Sequence, residues 1–222
     1  MTKNPSEKSS FFAIISRLRY IQRWGVMRSH VSENVMEHSF ETATIAFALG
    51  VIRNKIYGGS VNPYELMAAA IFHDAAEAVT GETVTPIKYA HPTFTAAHKM
   101  MEAAAQTMIN STLPAELQPE FQNMLIESNW APQVKELVKA ADVLSALFKC
   151  HAEIRAHNTE FEAAAKTLAV KLENLNVPEA TYFLATFKDA FNLPLDSLLQ
   201  FPEITAAVEF NIQQSVAKTT AP

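Results

Sequence analysis

The chain has 222 residues, of which 18 are basic and 23 acidic, so its formal net charge is −5 at pH 7. This length suits one sizeable core, and no glycine-serine stretch or long charge run marks a domain boundary. No basic cluster of the kind that follows a nucleic-acid backbone is present, which argues against a nucleic-acid polymer as a partner. An anionic ligand would therefore need local positive charge, from a metal ion or from one or two arginines.

We expect one domain over residues 1–222, with its core at about 9–200 and a disordered tail from about residue 217. Cys150 is the only cysteine, which excludes an internal disulfide and suits a reducing compartment. The apolar run from Phe11 to Ile15 is too short for a signal-peptide core, and no run of about 18 apolar residues would span a membrane. These features predict a cytoplasmic protein.

Few glycines, abundant alanine and scarce β-branched alternation predict an all-α protein. Segments 20–33 and 81–94 lack clear periodicity and carry the aromatic, charged and turn residues that are typical of loops around a site. The remaining periodicity predicts helices over about 10–20, 34–55, 63–80, 95–111, 114–128, 132–156, 160–175, 179–191 and 203–216.

The helix over 63–80 carries the most informative residues of the chain. Asn62 is a suitable N-cap, Pro63 a first helical residue, and Gly81 a C-terminal stop. Within this apolar segment, His73 and Asp74 stand side by side. An imidazole and a carboxylate are costly to bury unless both are satisfied. A divalent metal ion would satisfy both.

Other polar residues in apolar helices extend this pair to a constellation. Glu77 follows His73 by four residues, so in a regular helix both lie toward a common side. His38 begins a second apolar helix, and Asp142 lies inside a third. Two histidines and two carboxylates, with water completing the shell, suit Mn, Fe, Co, Ni or Zn. Taken alone, a histidine or aspartate of this kind is more often a core side chain hydrogen-bonded to backbone, and the adjacent His73-Asp74 pair is the stronger indication of a ligand.

The order His38, His73-Asp74, Asp142 resembles the H…HD…D signature of the HD-domain phosphohydrolases, an all-helical, metal-dependent superfamily. The flanking residues are similar to those of the bacterial 5′-deoxynucleotidases of the YfbR type, over roughly residues 9–200. These flanks include Arg23-Trp24, Glu33-Asn-Val-Met-Glu-His-Ser39, His73-Asp-Ala-Ala-Glu77, Thr85-Pro-Ile-Lys-Tyr89 and Lys139-Ala-Ala-Asp142. The resemblance implies a single HD-type helical bundle with the metal site between its central helices.

The resemblance also implies an activity and a cofactor. Enzymes of this family are dimers that hydrolyse deoxyribonucleoside 5′-monophosphates to deoxyribonucleosides and phosphate, using one divalent ion. Cobalt or manganese is the favoured ion, with iron, nickel, zinc and magnesium as further candidates. The implied metal ligands are His38, His73, Asp74 and Asp142.

Residue roles follow from the same resemblance. Arg23 would orient the phosphate, Trp24 would lie against the sugar and help exclude a 2′-hydroxyl, and Glu77 would be catalytic. The substrate would also contact His38, Asp74, Asp142, Glu82, Thr83, Val84 and Thr85. One stretch departs from the family pattern, because Thr80-Gly-Glu-Thr-Val-Thr-Pro86 stands where Thr-Gly-Asp-Leu-Pro-Thr-Pro is usual. Glu82 keeps the charge, but Thr83-Val84 lacks the restraint of the first proline.

The predicted mechanism is in-line attack of a metal-held water on phosphorus, with Glu77 taking or orienting its proton. Three alternatives remain: a nucleoside triphosphohydrolase, a cyclic-nucleotide phosphodiesterase, or a non-catalytic metal-containing protein that binds nucleotides. Triphosphates need more positive charge, and the sequence around Arg23 and the His-Asp helix shows little. Apart from the resemblance, a surface ion-pairing arginine beside a core tryptophan is the better interpretation of Arg23 and Trp24.

Overall fold

The computed structural model describes residues 8–88 and 90–199, without the side chain of Thr85. In these ranges the chain is helical and contains no strand beyond an isolated antiparallel bridge between Gln22 and Asn34. The helices are α1 (Phe11–Ile15), α2 (Val35–Ile56), α3 (Pro63–Phe72), α4 (Glu77–Thr80), α5 (Thr85–Lys88), α6 (Pro92–Ser111), α7 (Gln118–Leu125), α8 (Pro132–Arg155), α9 (Glu162–Leu175), α10 (Pro178–Phe187) and α11 (Leu195–Leu198). Short 3-10 turns follow at Ser16–Tyr20, Glu127–Asn129, Thr159–Phe161 and Lys188–Asn192. The all-α prediction is confirmed.

The chain divides into two compact units, residues 1–186 and 187–222. The described part of the second unit contains the Lys188–Asn192 turn and α11. The predicted helix over 203–216 and the predicted tail from about 217 lie outside the described residues. The single domain over 1–222 stays a prediction. Within the described part of the chain, no helix is both long and apolar enough to cross a bilayer.

Two predicted elements differ from the structure. Segment 81–94 is predicted as a loop, but it contains α5, and α6 begins within it at Pro92. The predicted helix over 63–80 is interrupted, because α3 ends at Phe72 and α4 begins at Glu77. At this break the amides of Ala75 and Glu77 bond to carbonyls three residues back, at 3.0 Å each, in place of the regular four-residue pattern. The His-Asp pair therefore lies in a tight turn at the end of α3.

Local sequence explains how α2 and α3 begin. Asn34 accepts a hydrogen bond from the Glu37 amide, and the Glu37 carboxylate accepts one from the Asn34 amide, each at 3.0 Å. This capping box starts α2 four residues before His38. The Asn62 side chain caps α3 through the Tyr64 amide, with Pro63 as the first helical residue.

The main core lies where α2, α3 and α8 pack together, with α9 against α8. Small buried residues at these contacts, including Ala46, Ala69, Ala70 and Ala141, allow the helix backbones to approach closely. Gly50 is a necessary gap, because a Cβ there would lie 3.1 Å from the Pro63 Cα. The predicted metal ligands lie on α2, on α8 and in the turn directly after α3.

A smaller core supports the turn after α3 from another direction. Phe11 of α1 is fully buried, and its ring centroid lies 5.0 Å from that of Phe121 and 6.3 Å from that of Phe72. Ala75, in the turn itself, belongs to this aromatic cluster and is fully buried. Packing on both sides of His73 and Asp74 therefore holds the turn in place.

Candidate metal centre

His38 lies in the first turn of α2 and is fully buried. Its Nδ1 is 3.0 Å from Ser145 Oγ, and the Ser145 hydroxyl donates to the Glu41 carboxylate. Because the single hydroxyl proton is directed to Glu41, Ser145 Oγ accepts the proton of His38 Nδ1–H. This tautomer leaves the lone pair on His38 Nε2, which is the form of imidazole that binds metal ions.

His73 is held in the same way at the end of α3. Its Nδ1–H donates to the Ala70 carbonyl at 2.7 Å, which leaves Nε2 for a ligand. His73 Nε2 is buried and makes no hydrogen bond within the described residues, although Asp74 Oδ2 lies 3.1 Å away. A buried polar atom without a partner is costly, so this nitrogen suits a bound cation.

The ligand atoms of His38, His73 and Asp74 all lie within 4.8 Å of one another. His38 Nε2 lies 3.7 Å from Asp74 Oδ2 and 3.2 Å from Asp142 Oδ1. Two ligand atoms that bind one ion at about 2.1 Å and at right angles lie about 3 Å apart. The observed separations therefore fit one divalent ion, and the donor set of imidazoles and carboxylates suits a mid-row metal.

Asp142 of α8 stands at the edge of this group. Its Oδ1 faces His38, while its Oδ2 accepts from Lys139 Nζ at 2.6 Å, one helical turn earlier. Among the described residues, the group whose ligand atoms all lie within 4.8 Å of one another consists of His38, His73 and Asp74, and Asp142 is not part of it. The structure thus brings all four predicted metal ligands together, with Asp142 joined through His38. Their assignment as ligands stays a prediction.

The electrostatics of the cluster favour a cation. Burial raises the pKa of the Asp74 carboxyl, but the charge and hydrogen bond of His73, together with the charge of His38, outweigh burial and hold that pKa well below its usual range. Burial lowers the pKa of His73, but the charge and hydrogen bond of Asp74, with the charge of Asp142 and the Ala70 carbonyl, together outweigh burial and raise the pKa to about 9. Burial, with the nearby Arg23, lowers the pKa of His38. A metal ion would take the place of the proton on His73 in the same negative field.

Arg23 and Trp24 approach the cluster from the segment between α1 and α2. Glu33 Oε2 accepts from Arg23 Nε at 3.1 Å and from Trp24 Nε1 at 2.9 Å, so one carboxylate orients both side chains. Arg23 Nη1 lies 3.4 Å from Asp74 Oδ2, which directs the guanidinium at the cluster. The sequence reasoning assigned no role to Glu33, although it lies in one of the quoted motifs.

The backbone of Trp24 is unusual, with a φ of 59° in the left-handed region. A bulky residue rarely adopts this conformation, and such strain is frequent at binding sites. The Trp24 ring packs on Phe161, with centroids 5.3 Å apart. These contacts hold the indole in place, directly after Arg23 in the sequence.

Glu77 at the start of α4 has a buried Oε2 that makes no hydrogen bond within the described part of the chain. Burial and the charge of Asp74 raise the pKa of Glu77 to about 8. A carboxyl group that titrates near neutrality suits proton transfer. Glu77 lines a cavity of about 460 Å³ together with His73, Asp74 and Asp142.

Within the predicted substrate-binding segment, residues 82–85, Glu82 is hydrogen-bonded to Trp24. The half-buried Glu82 carboxylate accepts a hydrogen bond from the Trp24 amide, and burial raises its pKa. Glu82 therefore keeps a negative group at this position despite the departure from the family pattern. Thr83 and Val84 are half-buried, and Val84 O accepts from the amides of Ile87 and Lys88 in α5. Nothing is described of the Thr85 side chain.

The structure also reveals positive charge that the sequence reasoning missed. The cavity is lined by Lys88, Lys99, Lys135 and Lys139, which come from α5, α6 and α8. The expectation of little positive charge near the His-Asp segment is therefore wrong. Lys88 and Lys99 are distant in sequence from Lys135 and Lys139, which lie four residues apart on α8, and the packing of three helices brings all four to one cavity. Apart from the Lys135 and Lys139 pair, their spacing carries no local signal.

Comparison with known proteins agrees with this geometry. A family model described as 5′-deoxynucleotidase YfbR-like matches residues 10–191. A 5′-deoxynucleotidase of Vibrio cholerae is 42% identical over 192 residues, which cover 86% of this chain and 99% of the relative. A 5′-deoxynucleotidase of Yersinia pestis is 42% identical over 190 residues, which cover 86% of this chain and 96% of the relative.

Solved structures share the fold. An HD-domain phosphohydrolase of Listeria innocua superposes with a TM-score of 0.68 at 22% identity, over 91% of this chain and 98% of the other. An HD phosphohydrolase of cyanophage S-2L, bound to dA and one catalytic Zn²⁺ ion, gives a TM-score of 0.57 at 18% identity, over 81% and 95% of the two chains. The family match over most of the chain, together with close relatives of nearly full length, shows that the chain belongs to the YfbR-like 5′-deoxynucleotidases.

Proposed function

We propose that this 5′-deoxynucleotidase uses one divalent ion, held by His38, His73, Asp74 and Asp142, to hydrolyse deoxyribonucleoside 5′-monophosphates. The observation that carries the proposal is the convergence of two imidazole nitrogens and a carboxylate oxygen within 4.8 Å of one another. When bound, the ion supplies the charge that acidifies a water molecule and polarises a phosphoryl oxygen. Cobalt or manganese is the proposed ion, with iron, nickel, zinc and magnesium as further candidates.

Arg23 orients the substrate phosphate in this proposal. Its side chain is 10% exposed and is held by Glu33, with Nη1 pointing toward Asp74 Oδ2. A guanidinium fork can bind two phosphoryl oxygens at once, and it remains charged at every physiological pH. Placed beside the metal ligands, it neutralises charge on the transferred group as that charge develops.

Glu77 accepts the proton of the attacking water at Oε2. Its carboxyl has a pKa of about 8 beside the charge of Asp74. Positive charge added at the cluster lowers that pKa, so the basic carboxylate form becomes available near neutrality. As the new phosphorus–oxygen bond forms, the bond to the 5′ oxygen breaks on the opposite side, and the departing oxygen takes up a proton. The products are a deoxyribonucleoside and inorganic phosphate.

Trp24 and Glu82 set the sugar specificity. The indole is fixed by Glu33 and by its packing on Phe161, so it cannot move aside for a 2′-hydroxyl without losing these contacts. The proposed nucleotide pocket continues along Glu82, Thr83, Val84 and Thr85. A homodimer in the cytoplasm completes the proposal, and light scattering of the purified protein measures the dimer directly.

Phosphate release from dAMP, AMP and dATP tests the proposal. Metal-stripped protein is resupplied with Co, Mn, Mg or Zn, and Asp74→Ala serves as the control. We expect release from dAMP that requires metal, exceeds release from AMP and disappears in the control. Preferred release from dATP would indicate a triphosphohydrolase instead, and no release with any metal would indicate a non-catalytic nucleotide-binding protein.

A further inference from the structure

The cavity beside the metal cluster is lined by lysines that have no role in the proposed hydrolysis. We call it the lysine chamber; its lysines are Lys88, Lys99, Lys135 and Lys139. Four ammonium groups repel one another, and the chain as a whole has a net charge of −5. Their convergence on one cavity of about 460 Å³ therefore favours an anion as the occupant.

A fifth lysine strengthens this field. Lys171 of α9 is half-buried, and burial with the charges of Lys139 and Lys88 lowers its pKa to about 8, against the opposing charge of Asp142. Such coupling requires that these ammonium groups lie close together. The lysines on α5, α8 and α9 thus act as one electrostatic cluster.

The acidic groups of the chamber are mostly engaged elsewhere. Asp74 and Asp142 point to the metal cluster, where a divalent ion would offset their charge. Glu102 pairs with Lys88 at 2.9 Å. Of the remaining lining residues in the described part of the chain, Glu77 and Glu127 are acidic, whereas Lys99, Lys135 and Lys139 are basic. With the ion bound, the chamber carries net positive charge.

The chamber also lies where the phosphate product would go. In an in-line displacement, the attacking water and the leaving oxygen lie on opposite sides of phosphorus. Glu77, the proposed proton acceptor, lines the chamber, whereas Arg23, Trp24 and Glu82 do not. Attack from the chamber side moves the phosphoryl group toward the chamber as the bond to the 5′ oxygen breaks.

We propose that the lysine chamber binds inorganic phosphate and forms the exit for this product, while the deoxyribonucleoside leaves past Arg23 and Trp24. The inference rests on the proposed function. The chamber exceeds the volume of one phosphate ion, since one water molecule occupies about 30 Å³ in the liquid. The anion is therefore bound with part of its hydration shell, which suits release more than tight retention.

The test uses the double variant Lys99→Ala/Lys135→Ala, because neither lysine contacts a proposed metal ligand. The matched control, Lys55→Ala/Lys166→Ala, removes the same charge from exposed positions on α2 and α9. Binding of inorganic phosphate to zinc-loaded protein is measured by calorimetry and by ³¹P NMR. We expect phosphate binding to be about tenfold weaker in the Lys99→Ala/Lys135→Ala protein, called the chamber variant below, and unchanged in the control.

Steady-state kinetics supply the second readout. Product inhibition of dAMP hydrolysis by phosphate should weaken about tenfold in the chamber variant, while KM for dAMP stays within about twofold. Unchanged phosphate binding overturns the proposal, and so does a KM that rises in parallel, since the lysines would then belong to the substrate subsite. Lysine-dependent binding of dATP far tighter than that of phosphate also overturns it, by assigning the chamber to a second nucleotide.

The two proposals fail separately. If no deoxyribonucleotide is hydrolysed while phosphate binding is lost in the chamber variant, the proposed function is wrong and the anion site stands. If dAMP is hydrolysed and phosphate binds equally well to the chamber variant and the control, the anion site is wrong and the proposed function stands.

Discussion

Glu153 on α8 provides a prediction about how the segment that carries Arg23 is anchored. Its side chain is 1% exposed, and its two oxygens accept from the amides of His30 and Val31 at 2.8 and 3.1 Å. Lys149 Nζ and Asn158 Nδ2 also donate to this carboxylate. Glu153→Gln preserves the size of the side chain but removes its charge and places amide protons among donors. We expect a loss of stability and a loosened segment before α2.

The magnitude follows from the pKa of Glu153. Burial raises this pKa, but the hydrogen bonds from His30, Lys149, Asn158 and Val31 together outweigh burial and lower it from 4.5 to about 2. At about 1.4 kcal/mol for each pKa unit, the ionised group contributes about 3 kcal/mol to the free energy of unfolding. Because the folded-state pKa is the lower one, this contribution is present above about pH 4.5 and is lost as pH falls through about 2.

Urea unfolding at a series of pH values measures this contribution. Glu173→Gln, at an exposed position on α9, is the matched control. At pH 7 we expect Glu153→Gln to lose about 3 kcal/mol relative to wild type, and the difference to shrink as the pH falls below about 4.5. A loss at pH 7 below about 1 kcal/mol, or one that does not depend on pH, would show that the carboxylate charge is not what holds the segment.

Four further variants address the site and the packing that builds it. Glu77→Gln should retain metal, measured by elemental analysis, and lose turnover by about a hundredfold or more; near-normal turnover would refute the proton-acceptor role. Trp24→Ala should raise activity on AMP relative to dAMP, and an unchanged ratio of kcat/KM values would refute its role in sugar selection. Ser145→Ala removes the acceptor of His38 Nδ1–H, so competition with a chelator should show about 10- to 100-fold weaker metal binding; equal affinity would mean that the tautomer is fixed otherwise. Gly50→Ala forces α2 and α3 apart, which should cost about 1 to 3 kcal/mol in urea unfolding despite the better helix propensity of alanine, whereas a stabilised variant would show that the helices can shift freely.

Long periodic helices could be predicted closely from the sequence. The prediction for α2 was 34–55 and the structure has Val35–Ile56; for α8 it was 132–156 and the structure has Pro132–Arg155. Both helices carry repeating apolar residues that are sufficient to define them. The break after Phe72 could not be predicted, because the segment to Gly81 contains no glycine or proline. It depends on packing of Phe72 and Ala75 against α1 and α7, which are distant in sequence.

The candidate site likewise combines residues that the sequence identifies with residues that only the fold brings together. The order of His38, His73, Asp74 and Asp142 could be recognised because each motif is short and contiguous. The group that orients His38 could not be recognised from the sequence, since Ser145 lies 107 residues away. The same holds for the lysine chamber, because its lysines come from three helices, of which α8 is distant in sequence from α5 and α6. Groups that surround a ligand depend on tertiary packing, which a single sequence does not display.

The break at His73 connects these observations. In a continuous helix, His73, Asp74 and Glu77 would keep the fixed angles of a 3.6-residue turn. The three-residue hydrogen bonds of the actual turn release Asp74 from that spacing, and Asp74 Oδ2 lies within 4 Å of His38, His73 and Arg23 at once. Asp74 therefore joins the proposed metal cluster to the arginine that is proposed to orient phosphate. Glu77, at the start of the next helix, lines the lysine chamber, so one short turn separates the approach of the nucleotide from the proposed exit of phosphate.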